Sequence, residues 1–228
     1  MYTSFRPNRP LKGSRLQLTT YVQEEVSALD EAVLLALNSS RQVYTHLEWV
    51  SPLESEGFTE YRDASFLEHL GLRDLAGQLA EFWPNKGPCW DALAKAAGPT
   101  GKAAIVLVEA KSHRIEVCGV GTGASGSSKA KIESALGETK EWLSVPLTAP
   151  WTGTLYQYAN RLAHLYFFRN RARPAVDAWL VNIYFLDDPY RPTSRAQWDD
   201  FLPDVRAELK LPGKPEFCVN VFLPAIAR

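Results

Sequence analysis

"AAIVLVEAKSH", Ala103 to His113, sets four consecutive apolar residues, Ile105 to Val108, almost directly against an acid and a base. The apolar run reads as a buried strand, and no turn residue separates it from Glu109, Ala110 and Lys111. Successive side chains on a strand alternate between faces. Glu109 and Lys111 therefore point the same way, on the face that carries Ile105 and Leu107 further back. His113 joins them if the strand stays straight. This face is core along most of its length and turns polar at its end. A strand that simply reaches water gives the same pattern, with a loose ion pair worth little. What lies opposite the acid decides between the two readings.

Upstream, "WPNKGPCWDALAKAAG" (83–98) holds Asp91 in a tight aromatic segment bounded by Gly and Pro. A loop then leads into the Glu109 strand. An adjacent antiparallel pair brings Asp91 across from Glu109. Two carboxylates plus the Ala110 carbonyl make a hard oxygen site, which suits Mg²⁺ or Mn²⁺. Lys111 beside such an ion is placed to hold the attacking water and to stabilise charge growing on a phosphate oxygen. A turn or cap role is the plain competitor for Asp91.

The rest of the chain interleaves helices with short buried strands. Apolar residues at Val22, Val26, Leu29, Val33 and Leu37 predict one amphipathic helix over Tyr21–Leu37. Trp49–Asp63 reads as an irregular connection. Residues 65–83 return to helical spacing, with Leu72, Leu75, Leu79 and Phe82 on one side, until Pro84 and Gly87-Pro88 stop them. Cys89–Leu93 is a short strand or strand-like loop. The strand over Lys102–Lys111 is free to continue through "HRIEVCGV". Gly121–Ser128 is a loop and Ala130–Leu143 a helix. Thr154–Arg171 is a helix with Thr154 and Gln157 spaced as a capping box. "VDAWLVNIYFLDD" (176–188) is a second buried strand. Ser194 and Gln197 form another capping box, opening a helix to about Lys210, and "FCVNVFLP" (217–224) is a last strand. The expected fold class is α/β (α+β), a sheet with helices packed on it.

A chain of 228 residues suits one large domain with an N-terminal extension. Residues 1–17 carry Arg6, Arg9, Lys12 and Arg15 and no acid, and read as a flexible basic arm before a single domain over 18–228. The net charge of −1 excludes a general nucleic-acid coat, so any such surface is local. Cys89, Cys118 and Cys218 are too widely spaced for a zinc pattern or disulfide framework. No run approaches the roughly 20 apolar residues of a membrane span, and the N-terminus has no signal-peptide pattern. A cytoplasmic protein off the membrane is expected. Oligomeric state is left open, a homodimer included.

In "TLYQYANRLAHLYFFR" (154–169), Gln157, Asn160, Arg161 and His164 share one helix face. A solvated face favours Lys and Glu, and this stripe has neither. Amide, guanidinium and imidazole groups side by side suit a phosphate or a nucleobase edge, with Arg161 as the main clamp.

The Asp91 segment followed by an apolar strand ending Glu109-Ala110-Lys111 resembles the PD-(D/E)XK nuclease superfamily, whose fold is restriction-endonuclease-like, and this resemblance implies a central mixed sheet flanked by helices. The match covers roughly 72–190, and Trp90 stands where the motif's proline is usual. "YQYANRLAHLYF" and "GPCWDALA" are also similar to uncharacterised bacterial members. The resemblance implies a catalytic trio of Asp91, Glu109 and Lys111, with Mg²⁺ or Mn²⁺ held by Asp91, Glu109 and the Ala110 carbonyl. It implies Glu81 as a further acid from a core helix and Gln157 as a substrate-binding glutamine. The function expected is a metal-dependent phosphodiester hydrolase (nuclease) on DNA or RNA. The alternative is a non-catalytic nucleic-acid- or protein-binding module of the same fold. A hydrolase of another type, pairing Glu109 with Glu116 or Asp91, has no supporting spacing.

Overall fold

A computed structural model describes residues 11–39, 43–99 and 101–227. Helices α1 (Ser14–Glu24) and α2 (Val26–Asn38) lead into strand β1 (His46–Ser51). Helices α3 (Asp63–His69) and α4 (Ala76–Phe82) follow, then the hairpin β2 (Ala92–Ala97) and β3 (Ala103–Lys111). Helices α5 (Gly126–Trp142) and α6 (Tyr156–Tyr166) cross back to β4 (Ala178–Leu186). Helix α7 (Arg195–Glu208) and strand β5 (Cys218–Pro224) complete the chain.

Among the described residues one five-stranded mixed sheet runs in sequence order, β1 to β5, with seven α-helices against its two faces. β1, β2 and β3 pair antiparallel, and β3, β4 and β5 pair parallel. The parallel pairing requires a long crossover, supplied here by α5 and α6. Alternation sorts the side chains. Leu93, Ile105, Leu107, Leu180 and Tyr184 face the core shared with α3 to α7. Val106, Val108, Val181, Ile183 and Val221 face α1 and α2, where Leu18, Leu29, Val33 and Leu37 meet them. β3 and β4, buried on both sides, carry continuous apolar runs for that reason.

Several expected boundaries move. The helix expected over Tyr21–Leu37 is two helices broken at Glu25. Leu18 and Tyr21 of α1 and Leu29, Val33 and Leu37 of α2 lie on the same sheet face, while Val26 at the break is exposed. The segment expected as an arm to residue 17 enters α1 at Ser14 and buries Gln17, whose amide bonds both ways with the Ile226 backbone. Residues 1–10 lie outside the described residues. The connection expected at Trp49–Asp63 hides the end of β1, which gains regularity only by pairing with β2. β1 and β5 both lie outside the 72–190 core and are full members of the sheet.

The helical stretch over 65–83 breaks at Gly71, at φ +77°. The Leu72 amide donates to the Leu67 carbonyl and the Gly71 amide to the Glu68 carbonyl, closing α3 as a Schellman motif. The Ser194–Gln197 capping box forms as expected. The Thr154–Gln157 box does not. α6 begins at Tyr156, and the Thr154 carbonyl accepts from the Gly119 amide at 2.8 Å instead. After Tyr166 the helix widens into a π turn, Phe167–Arg171. "HRIEVCGV" leaves the sheet as a 3-10 turn at Arg114–Glu116.

Candidate functional site

The β2–β3 register pairs Ala92 with Val108, and one further step sets Asp91 opposite Glu109. The Asp91 amide donates to the Val108 carbonyl at 3.2 Å, and Asp91 Oδ2 accepts the Ala110 amide at 2.7 Å. The preceding Trp90 is fully buried and bridges Tyr61, its amide donating to the Tyr61 carbonyl at 3.0 Å. The aromatic anchor fixes where the acid stands.

Glu109 is 5 % exposed and meets two cations. Lys111 Nζ donates to its Oε1. Arg161 reaches Oε2 through Nε at 2.6 Å and through Nη2 at 2.5 Å. The same guanidinium donates through Nη1 to Asn160 Oδ1 at 2.9 Å and through Nη2 to the Cys89 carbonyl at 2.8 Å. Its carbon lies 4.8 Å from the Trp90 ring centroid, so burial, pairing and stacking hold one planar group. Across the sheet the same face stays polar: Glu109 pairs in register with Asn182, and Asn182 with Asn220.

The electrostatics follow from this uneven pairing. Burial works to raise the Glu109 carboxyl, but Arg161 and Lys111 together hold it below its ordinary range. Burial works to lower the Lys111 ammonium, and Glu109 and Asp91 reverse that, leaving it above its ordinary value. Among the described residues no cation is hydrogen-bonded to Asp91. Burial, and then the Glu109 charge, push it up to about 7, and the Lys111 charge only partly offsets its rise. Glu60 is raised as well, by burial first and by Glu109, against Arg15 at 3.1 Å.

Of these groups Glu60, Asp91 and Arg161 border an open cleft of about 450 Å³, with Glu109 and Lys111 outside its lining. Glu60, Cys89 and Asp91 form one wall; Tyr156, Gln157, Asn160 and Arg161 of α6 form the other. The exposed Val120 stands on the rim. The rim is tied down where the Gly119 and Thr122 amides donate to the Thr154 and Thr152 carbonyls.

The structure thus brings together Asp91, Glu109, Lys111, Gln157, Asn160 and Arg161. It does not bring His164. One turn beyond Asn160, that imidazole is buried against Trp83, Trp90 and Phe66, with ring centroids 5.0, 6.0 and 6.5 Å away. Its Nδ1 donates to the Asn160 carbonyl at 2.8 Å, and burial pushes its pKa down to about 3. It is a neutral core residue. Glu81 does not line the cleft either. It stands exposed at the end of α4, because Leu79 and Phe82 turn the other side of that short helix inward. Ala110 meets Asp91 through its amide rather than its carbonyl. Trp151, after Pro150, is buried and donates to the Leu209 carbonyl at 2.9 Å. Sequence reasoning missed Glu60, which sits in an irregular stretch with no periodicity to single it out.

Asp91 Oδ1 has no hydrogen-bond partner among the described residues. Among those residues no three His, Cys, Asp or Glu side chains form a metal cage. Mg²⁺ does not need one, since it takes one or two carboxylates and keeps several waters. A carboxyl raised by burial and by a neighbouring acid, with one oxygen open, fits a divalent ion.

Comparison with protein-family models, curated proteins and solved structures finds no match for this chain. The chemistry of the site therefore rests on its own geometry. No helix among the described residues is long and apolar enough to cross a membrane.

Proposed function

We propose that this protein is a metal-dependent phosphodiester hydrolase of the PD-(D/E)XK kind, acting on DNA or RNA. One observation carries the reading: Asp91, on the wall of a cleft, stands across the β2–β3 hairpin from the buried Glu109, with Lys111 on the Glu109 carboxylate. Asp91 and Glu109 are the residues to hold Mg²⁺ or Mn²⁺. When bound, the ion supplies Lewis-acid stabilisation and a water of lowered pKa. Lys111, kept charged by both acids, is placed to orient that water and to stabilise a phosphate oxygen. Gln157 and Asn160 offer amides from the facing helix to the strand's phosphate or base edges.

A non-catalytic binding module is the second reading. What favours it is that each Glu109 oxygen already has a cation, which leaves Asp91 as the more available carboxylate. Cleavage assays separate the two. Single- and double-stranded DNA and RNA, end-labelled, are incubated with protein and Mg²⁺ or Mn²⁺. Slow metal-dependent cleavage is expected, abolished in Lys111→Ala and Glu109→Ala variants that keep their circular dichroism. A full panel left intact by folded protein with Mn²⁺ present moves the assignment to the binding module.

A further inference from the structure

The geometry points to Arg161 as a built-in competitor for the ion: it occupies Glu109 until an anionic phosphate enters the cleft, so that ion and phosphate bind cooperatively. This rests on the reading of Asp91 and Glu109 as the ion site.

The argument starts from Glu109 Oε2. Arg161 donates its Nε–H to that oxygen and sets Nη2 2.5 Å from it, and Lys111 takes Oε1. A single carboxylate thus faces two cations. A divalent ion on Glu109 adds two further positive charges within a few ångströms. Like charges at such separations, partly shielded from water, repel strongly. Either the ion binds poorly or Arg161 gives up Oε2.

Arg161 has somewhere to go. Although only 4 % exposed, it borders the cleft beside Gln157 and Asn160. Its contacts to Asn160 Oδ1 and the Cys89 carbonyl hold the planar group at the wall. A phosphate in the cleft offers it a bidentate partner. Transfer from carboxylate to phosphate frees Oε2 for the ion and keeps the guanidinium paired. Among the described residues no cation is hydrogen-bonded to Asp91. The site is therefore half-open to an ion in the free protein and fully open with phosphate present. By linkage, each ligand raises the other's affinity by the same factor.

The test is Mn²⁺ titration of the full chain by calorimetry, with and without saturating deoxythymidine 5′-monophosphate. Wild-type affinity for Mn²⁺ is expected to rise at least about fivefold with the nucleotide. Arg161→Gln is expected to bind Mn²⁺ at least about fivefold more tightly than wild type without nucleotide, and to show less than about twofold enhancement with it. Arg161→Gln that binds Mn²⁺ no better than wild type, or keeps the enhancement, overturns the competition. Should that variant fail to fold, the wild-type pair decides: Mn²⁺ affinity indifferent to the nucleotide overturns it equally. Absence of Mn²⁺ binding in wild type under both conditions removes the ion-site reading itself. Binding without coupling removes only this inference.

Discussion

Arg161 and Glu109 form a buried ion pair in which Nε donates to one carboxylate oxygen at 2.6 Å and Nη2 lies 2.5 Å from the same oxygen. The pair joins α6 to β3, 52 residues apart in sequence. Breaking such a pair from one side leaves an unpartnered charge in the interior. Glu109→Ala strands both Lys111 and Arg161. It is expected to cost about 3–5 kcal/mol of unfolding free energy, whereas an exposed ion pair is worth about 0–1 kcal/mol. Urea unfolding at pH 7 measures it. A cost under about 1 kcal/mol means that the two cations find water or other partners.

Asp91 gives stability a pH dependence of defined sign. Its carboxyl is raised from an ordinary value near 3.8 to about 7. Between those values the folded protein keeps a proton that the unfolded chain releases, so this residue's contribution falls as pH rises. Asp91→Asn removes the term while its side-chain oxygen still accepts the Ala110 amide. The variant is expected to exceed wild type in stability at pH 8, on the order of 2–4 kcal/mol, with the gap closing towards pH 4. Unfolding curves at pH 4, 6 and 8 test this. A gap independent of pH assigns the effect to packing.

His164 is expected to stay neutral across the physiological range. Its pKa of about 3 in the folded protein, against about 6.5 unfolded, means the unfolded chain binds the extra proton. Stability from this residue is present above pH 6.5 and is lost as pH falls towards 3. Its imidazole NMR signals should not shift between pH 5 and 8. A midpoint inside that window places the ring in contact with water, and brings it back as a candidate for the cleft.

Gly71 isolates backbone strain from packing. It adopts φ +77°, and a Cβ there meets nothing within 4 Å. Gly71→Ala therefore costs only the left-handed conformation, about 1–2 kcal/mol. Thermal unfolding measures it. A neutral substitution would show that α3 and α4 close without the motif.

The alternation in residues 103–113 settled which side chains of β3 share a face, because the period of a strand is two wherever it lies. Glu109 and Lys111 emerge together beyond Ile105 and Leu107 as that rule requires, and the position of Asp91 opposite them follows from hairpin register. The strands at 176–188 and 217–224 and the Ser194–Gln197 cap were readable for equally local reasons. Gly71 carried a stop signal that the continuing apolar spacing overrode.

Other features depended on contacts that no local pattern encodes. Glu25 breaks the expected helix and leaves Val26 exposed, and the buried stripe resumes at Leu29 on the same sheet face, since spacing reports the face against the sheet and not the axis. β1 is a strand because β2 lies beside it. The four polar residues of α6 share a face in sequence, yet three border the cleft and His164 sinks among Trp83, Trp90 and Phe66. Glu60 and Asp91 come together only because the Tyr61–Trp90 bridge ties their segments. The sequence by itself determined the local geometry: which residues alternate, which cap, and which acid faces which across a hairpin. Only the tertiary structure decided that Arg161 and Lys111 bond Glu109 directly, while among the described residues no cation is hydrogen-bonded to Asp91. Charge pairing at a buried site is set by which elements converge there, and the shielding from water that makes the pairing matter exists only once the sheet and α6 have closed together.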